Sequence, residues 1–191
     1  DWSNAAFFIA GGALGGDVTV KGLSLSSRQG DKAVIDILKR MGADITIDRG
    51  LVRAKKSALK GVTENLDKVP DLAPVLSIAA MRAEGATVFE GVRRLKDKES
   101  DRLSAIIEVI TELGGKAEYK EGSLIIYGGC ECKEAVLSSY NDHRMAMSAA
   151  IAAINHNKRI ILDGSESVSK SYPDFFTDYK KLGGKADDIH S

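Results

Sequence analysis

The chain has 191 residues, 27 basic against 27 acidic side chains and 43% hydrophobic residues; this length and apolar content supply one sizeable core and exclude a disordered chain. Balanced charge excludes a global field for nucleic acid or a membrane surface, so any anion site must be local. No apolar run reaches the roughly 18 residues of a membrane span, no signal-peptide pattern opens the chain, and Cys130 and Cys132, spaced C-E-C, fit neither a C-x-x-C redox pair nor a zinc site. These features predict a soluble, cytoplasmic protein with ordinary reduced cysteines.

The stretch DWSNAAFFIAGGALGGDVTVKGL, from Asp1, reads as an Ala-rich helix, apolar nearly all round from Ala5 to Leu14, and then a short β-branched strand. QGDKAVIDILKRMGA places Val34, Ile35, Leu38 and Met41 on one face of an amphipathic helix, and ADITIDRGLVRAKK reads as a hairpin turning at Arg49-Gly50. The order then recurs. PDLAPVLSIAAMRAEGATVFEGV, with Asp71, is a second apolar helix and strand; ESDRLSAIIEVITELGG carries Leu103, Ile106, Ile107, Ile110 and Leu113 on one face; AEYKEGSLIIYGG turns at Glu121-Gly122. A third round begins at NDHRMAMSAAIAAINHNKRIILDG, with Asp142 and an apolar body from Met145 to Ile154, and continues to the helix of YPDFFTDYKKLGG.

Asp1, Asp71 and Asp142 thus mark a period of about 70 residues, and each amphipathic helix stops at a glycine suited to a C-terminal cap. The unit is helix, strand, helix, strand, strand, repeated over about 1–69, 70–140 and 141–191 within a single domain. The third unit breaks off after its second helix and the first starts at its first, so the expectation is a fragment of a longer protein, short of about two strands. The predicted fold class is α+β, pseudo-threefold, with three buried helices side by side and sheets and outer helices around them.

Helix N-termini present unsatisfied N–H groups and a partial positive charge, and the notable polar stretches, VPD, KDKESDR, NDHR and SKSYPDF, all lie ahead of helices. Asp1, Asp71 and Asp142 each suit an N-cap. Ser171 suits a cap and Pro173 a first turn; KDKESDR also reads as a solvated charged turn, and His143 as a hydrogen-bonded structural histidine. Against these readings, Arg102, Arg144 and Lys170 come from different units, yet all fall at helix starts, where a cation opposes the dipole. Such placement points to a bound anion, with Asp71 and Glu99 as carboxylates for acid/base work beside it.

VPDLAP, KDKESDRL, NDHRMAM and KSYPDFF, in that order, closely resemble the motifs of the bacterial 5-enolpyruvylshikimate-3-phosphate synthase family, the shikimate-pathway enzymes inhibited by glyphosate, and the match runs over essentially the whole chain. The resemblance implies the enolpyruvyl transferase fold: two domains, each of three βαβαββ units, with substrates in the cleft between them and a short N-terminal segment supplying the strands lacking here. It implies transfer of the enolpyruvyl group of phosphoenolpyruvate to the 5-hydroxyl of shikimate 3-phosphate, through a tetrahedral ketal with release of phosphate, and neither metal nor organic cofactor.

By motif position, Asp71 resembles the carboxylate that accepts the hydroxyl proton, Glu99 the group that protonates and later deprotonates the enolpyruvyl methylene, and Lys98 the lysine beside the shikimate hydroxyls, a third catalytic residue that shares in proton transfer. Arg102, Arg144 and Lys170 resemble the phosphoenolpyruvate clamp, with His143 in support. Arg94 stands where some members carry Asn, at a polar contact to shikimate 3-phosphate. The implied partners are the two substrates and the other domain of the same enzyme, without nucleic acid or membrane; alone, the chain is expected to be inactive and to bind substrates weakly. Two further readings are the sister enzyme acting on UDP-N-acetylglucosamine, disfavoured by DKESDRL and NDHRMAM, and a non-catalytic phosphate-binding domain. Asp71 and Glu99 disfavour the latter, since anion binding gains nothing from neighbouring carboxylates.

Overall fold

The structure is a computed structural model that describes residues 1–155 and 158–189. In chain order its elements are α1 (Trp2–Gly15), β1 (Asp17–Val20), α2 (Val34–Arg40), β2 (Asp44–Asp48), β3 (Leu51–Lys55), β4 (Thr63–Asn65), α3 (Ala73–Arg82), β5 (Ala86–Glu90), α4 (Arg102–Glu112), β6 (Lys116–Lys120), β7 (Ser123–Tyr127), β8 (Ala135–Ser138), α5 (His143–Ala152), β9 (Ile160–Asp163) and α6 (Phe175–Lys181). The third helix-and-strand stretch includes His156 and Asn157, which lie outside the described residues, as do His190 and Ser191.

The repeat survives at the level of strand pairing. β1–β3–β2 is an antiparallel sheet, and β5–β7–β6 pairs in the same way. β4 runs parallel to β5, as β8 does to β9. The middle sheet, β4–β5–β7–β6, shows the whole βαβαββ pattern; the first sheet has its last three strands and the third its first two. Three strand positions of the middle sheet therefore have no counterpart among the described residues, one more than the sequence count. β4 and β8 were absent from the helix, strand, helix, strand, strand unit, and each pairs forward, with the strand that follows the next buried helix.

Local chemistry accounts for the punctuation. Both hairpins turn on two residues in the left-handed region, Arg49 and Gly50, then Glu121 and Gly122, as the twist of paired strands demands. The helices α2, α4 and α6 each end on a left-handed glycine, Gly42, Gly114 and Gly183, and the next amide reaches back to a helix carbonyl: Ala43 to Leu38, Gly115 to Ile110, Gly184 to Tyr179, all 2.8–2.9 Å.

The helices α1, α3 and α5 are apolar on nearly every side and each packs on the other two, with their own sheets outside them. They run in the same direction. At one end Arg144, beginning α5, pairs with Asp71, just ahead of α3, and Asn4 of α1 donates to the Ser171 carbonyl beside Lys170. At the other, Arg82 at the end of α3 donates to the carbonyls of Ile154 and Asn155 beyond α5. The outer helix α6 joins α1 to α5: the Phe175 ring packs on Phe7 and Phe8, and the Tyr179 hydroxyl donates to the Ala150 carbonyl.

The stretch after β7 pins the far end of α3, since the amides of Gly128, Gly129 and Cys130 donate to Gly85, Ala83 and Met81. A Cβ on Gly128 would lie 2.0 Å from the Ala83 carbonyl oxygen, backbone against backbone. Gly128→Ala is therefore expected to destabilise the chain by about 3 kcal/mol. In urea this reads as a lower unfolding midpoint at unchanged slope, whereas a midpoint equal to the parent's would show that this anchor yields freely.

Candidate active site

Asp71 lies in a 3-10 turn, Pro70–Leu72, that leads into α3. KDKESDR resolves into the end of a 3-10 turn (Arg93–Asp97), an extended Lys98, and Asp101 as the N-cap of α4, its carboxylate accepting from the Ser104 amide at 3.1 Å. Arg102 is then the first residue of α4 and Arg144 the second of α5, so both cations sit at helix N-termini. Lys170 does not: it ends a separate 3-10 turn, Ser165–Lys170, and α6 starts only at Phe175. The Ser171 and Pro173 readings fall with it, because the residue preceding α6 is Asp174 and no side chain caps that helix.

Arg102 is the centre of the site. Its side chain has no exposed surface, and it donates from Nε to Asp142 Oδ2 (2.7 Å), from Nη1 to Asp71 Oδ1 (2.8 Å), and from Nη2 to Glu99 Oε2 (2.5 Å) and Asp142 Oδ1 (3.3 Å). Asp142 is equally buried; besides Arg102 it accepts from the Arg144 amide (2.9 Å), as the cap of α5, and from the Ser100 hydroxyl (3.2 Å). Asp71 also pairs with Lys98 (3.0 Å, at Oδ1) and Arg144 (3.3 Å, at Oδ2). One network thus joins Asp71, Lys98, Glu99, Arg102 and Arg144.

The remaining site residues stand around this network. His143 is buried, and its Nδ1 has no hydrogen-bond partner among the described residues. Lys170 is exposed and donates to the backbone and side-chain oxygens of Asn141 (2.5 and 2.6 Å), next to Asp142 in the chain. Arg94 is exposed in its 3-10 turn and forms no ion pair among the described residues. Cys130 is half-buried and Cys132 buried, both as free thiols. Among the described residues no group of three or more His, Cys, Asp or Glu side chains is arranged to hold a metal ion.

The charges shift one another in opposed directions. Burial raises the Asp71 carboxyl, but Arg144, Lys98 and Arg102 outweigh it and hold the group below the usual carboxylate range. In Asp142, burial is likewise overcome by the bond and charge of Arg102. Burial lowers His143, and the charge of Arg144 lowers it further, against Asp142 and Glu99. The imidazole is therefore neutral near pH 7, a hydrogen-bonding group instead of a cation.

Sequence reasoning saw Asp142 only as a cap and passed over Ser100 and Asn141. A cap uses one carboxylate oxygen, and nothing in NDHR says what the second one holds. The buried pair sets an acid limit on stability: a carboxyl held low in the folded state contributes fully above its unfolded value of about 3.9, and that contribution is lost as pH falls through the folded value. Asp142→Ala leaves Arg102 with a buried, partly unpaired charge and is expected to cost about 3 kcal/mol at pH 7. It should also flatten the fall in melting temperature below about pH 4. Equal acid sensitivity in both proteins would show that Asp142 does not carry this effect.

Comparison with known proteins gives the family of this chain. A family model described as EPSP synthase (3-phosphoshikimate 1-carboxyvinyltransferase) matches residues 1–179. The chain is 42% identical over 188 residues to the 3-phosphoshikimate 1-carboxyvinyltransferase of Clostridium novyi (strain NT), covering 98% of this chain and 43% of the relative. With the protein of the same name from Clostridium acetobutylicum it shares 43% identity over 190 residues, again 43% of the relative's length. An EPSP synthase structure from Acinetobacter baumannii superposes with a TM-score of 0.87 at 33% identity, over 96% of this chain and 46% of that one. The enolpyruvyl transferase NikO from Streptomyces tendae, at 21% identity and a TM-score of 0.73, shares the fold. The chain spans less than half the length of these relatives, and it belongs to the EPSP synthase family.

Proposed function

We propose that this chain forms one wall of an active site that transfers the enolpyruvyl group of phosphoenolpyruvate to the 5-hydroxyl of shikimate 3-phosphate. The observation that supports this most is the single network in which Arg102 ties Asp71 to Glu99, with Lys98 and Arg144 on Asp71. A cluster of cations suits a substrate with phosphate and carboxylate groups, and two carboxylates within that cluster suit proton transfer in both directions. The relatives' shared name supplies the reaction. Their additional length corresponds to the other domain, which completes the site, and the protein works in the cytoplasm.

Asp71 takes the proton of the 5-hydroxyl as its oxygen bonds to C2 of phosphoenolpyruvate, while Glu99 protonates C3, giving the tetrahedral ketal. Glu99 then removes a proton from the resulting methyl group as the carbon–oxygen bond to phosphate breaks, leaving the enol ether and inorganic phosphate. Lys98 hydrogen-bonds the shikimate hydroxyls. Arg144 and Lys170 hold phosphoenolpyruvate directly, and Arg102 contacts it by exchanging one of its carboxylate bonds for the substrate. His143 supports the clamp as a neutral donor or acceptor, and Arg94 faces shikimate 3-phosphate. Fixed donors of this kind act on charge that moves during the reaction.

The test joins this chain to the remaining portion of the Clostridium acetobutylicum relative and follows phosphate release from the two substrates. Glu99→Gln should lower kcat at least 100-fold with KM for phosphoenolpyruvate nearly unchanged. Arg144→Ala should raise that KM about tenfold or more. The reverse pattern, or no turnover from a folded joined protein, would refute the assignment.

A further inference from the structure

Asp71 is held as an anion by three cations, which leaves it ionised but a weak base for a proton acceptor. Its two oxygens are held unequally. Among the described residues, Oδ1 has both Lys98 at 3.0 Å and Arg102 at 2.8 Å, whereas Oδ2 has only Arg144, at 3.3 Å. Of the two guanidinium groups, Arg102 is fully buried and has a carboxylate on each of its three nitrogens. Arg144 is the reverse: among the described residues its one ion pair is long, and its Nη1 is buried without a hydrogen-bond partner. Leaving such a donor unsatisfied costs free energy, and an oxyanion with several acceptor oxygens would satisfy it. The Arg144 backbone is fixed by the Asp142 cap, so only the side chain has to swing.

We infer that Arg144 is an exchangeable counterion: it neutralises Asp71 in the free chain, moves onto an incoming oxyanion, and so releases Asp71 Oδ2 to accept a proton. This rests on the reading of Asp71 as the proton acceptor. Substrate anion and proton then bind cooperatively at adjacent places, because the anion removes one positive neighbour from Asp71 and adds a negative one. Lys98 and Arg102 stay on Oδ1 and keep the carboxylate in position; Glu99, Asp142 and neutral His143 are the other titratable groups facing Arg144 and Arg102.

Sulfate is the probe, titrated into the 191-residue chain and followed by the Arg144 side-chain NMR signals. Asp71→Asn removes the competitor for Arg144 and should bind sulfate about tenfold more tightly than the parent, the scale of one nearby charge in a partly solvated site. In the unsubstituted chain, the carboxyl carbon of Asp71 should titrate at a higher pH with saturating sulfate than without it, a readout that does not depend on how the variant folds. Equal or weaker sulfate binding by Asp71→Asn, or an Asp71 titration unmoved by sulfate, would overturn the exchange. Turnover by the joined protein alongside an unmoved titration would leave the proposed function standing and remove only this step; a moved titration without turnover would do the opposite.

Discussion

A guanidinium with no exposed surface cannot be left without counterions, because removing an unpaired charge from water costs several kcal/mol even after relaxation. Arg102 is in that position, and the first turn of α4 adds a dipole that opposes it. Its three partners come from three places in the chain: Asp71 ahead of α3, Glu99 ahead of α4 and Asp142 at the cap of α5. Satisfying one side chain therefore fixes the relative positions of three helix N-termini. Apolar residues of similar volume would hold such a junction at least as stably. What the ionic solution adds is a set of carboxylates at fixed separations, which an apolar junction could not provide.

The bundle beneath imposes its own requirement. Three parallel helices put like dipole ends together, a repulsion that apolar packing has to overcome and that the ends must relieve. The C-terminal end is relieved by Arg82, whose guanidinium meets the last carbonyls beyond α5, while Gly15 of α1 packs against Asn155 so closely that a Cβ there would lie 2.4 Å from it. At the N-terminal end the carboxylates of Asp1 and Asp142 cap α1 and α5. The same polarity that must be neutralised for folding is what makes that end receptive to anions, so fold and site share one electrostatic cause.

How much of this was legible follows from which signals have a period. The buried helices, the two hairpin turns and the three glycine stops recur at nearly constant spacing, and each has a local cause that a sequence displays. β4 and β8 have three and four residues, TEN and AVLS, too short for alternation to register, and their partners lie beyond an entire helix. Proline and serine ahead of α6 gave a false start because tertiary contacts decide there: the Tyr172 hydroxyl donates to Asp178, and the Phe175 ring is committed to α1. Arg102 and Arg144 were legible as cations where helix dipoles disfavour them, but the same reasoning misplaced Lys170, which ends a 3-10 turn. Their wiring was not, since Arg102 and Arg144 carry the same chemistry in sequence, and only the carboxylates that the fold brings to each separate a hub from an under-bonded neighbour.

The departure from threefold symmetry is the most informative feature of all. Asp1 and Asp142 spend their carboxylates on helix amides, but the equivalent Asp71 does not. Pro70, just ahead of it, has no N–H to satisfy and is pre-shaped for a first turn, which lowers the need for a cap; α3 accordingly starts without any side-chain cap. The Asp71 carboxylate is thereby free to turn toward Lys98, Arg102 and Arg144. The one inner helix whose N-terminal amides lack a side-chain acceptor is thus the helix beside three cations. A repeat that had kept its cap at Asp71 would be a sounder helix and, on the proposed role of Asp71, a poorer site, because the same oxygens cannot both close a helix and wait for a proton.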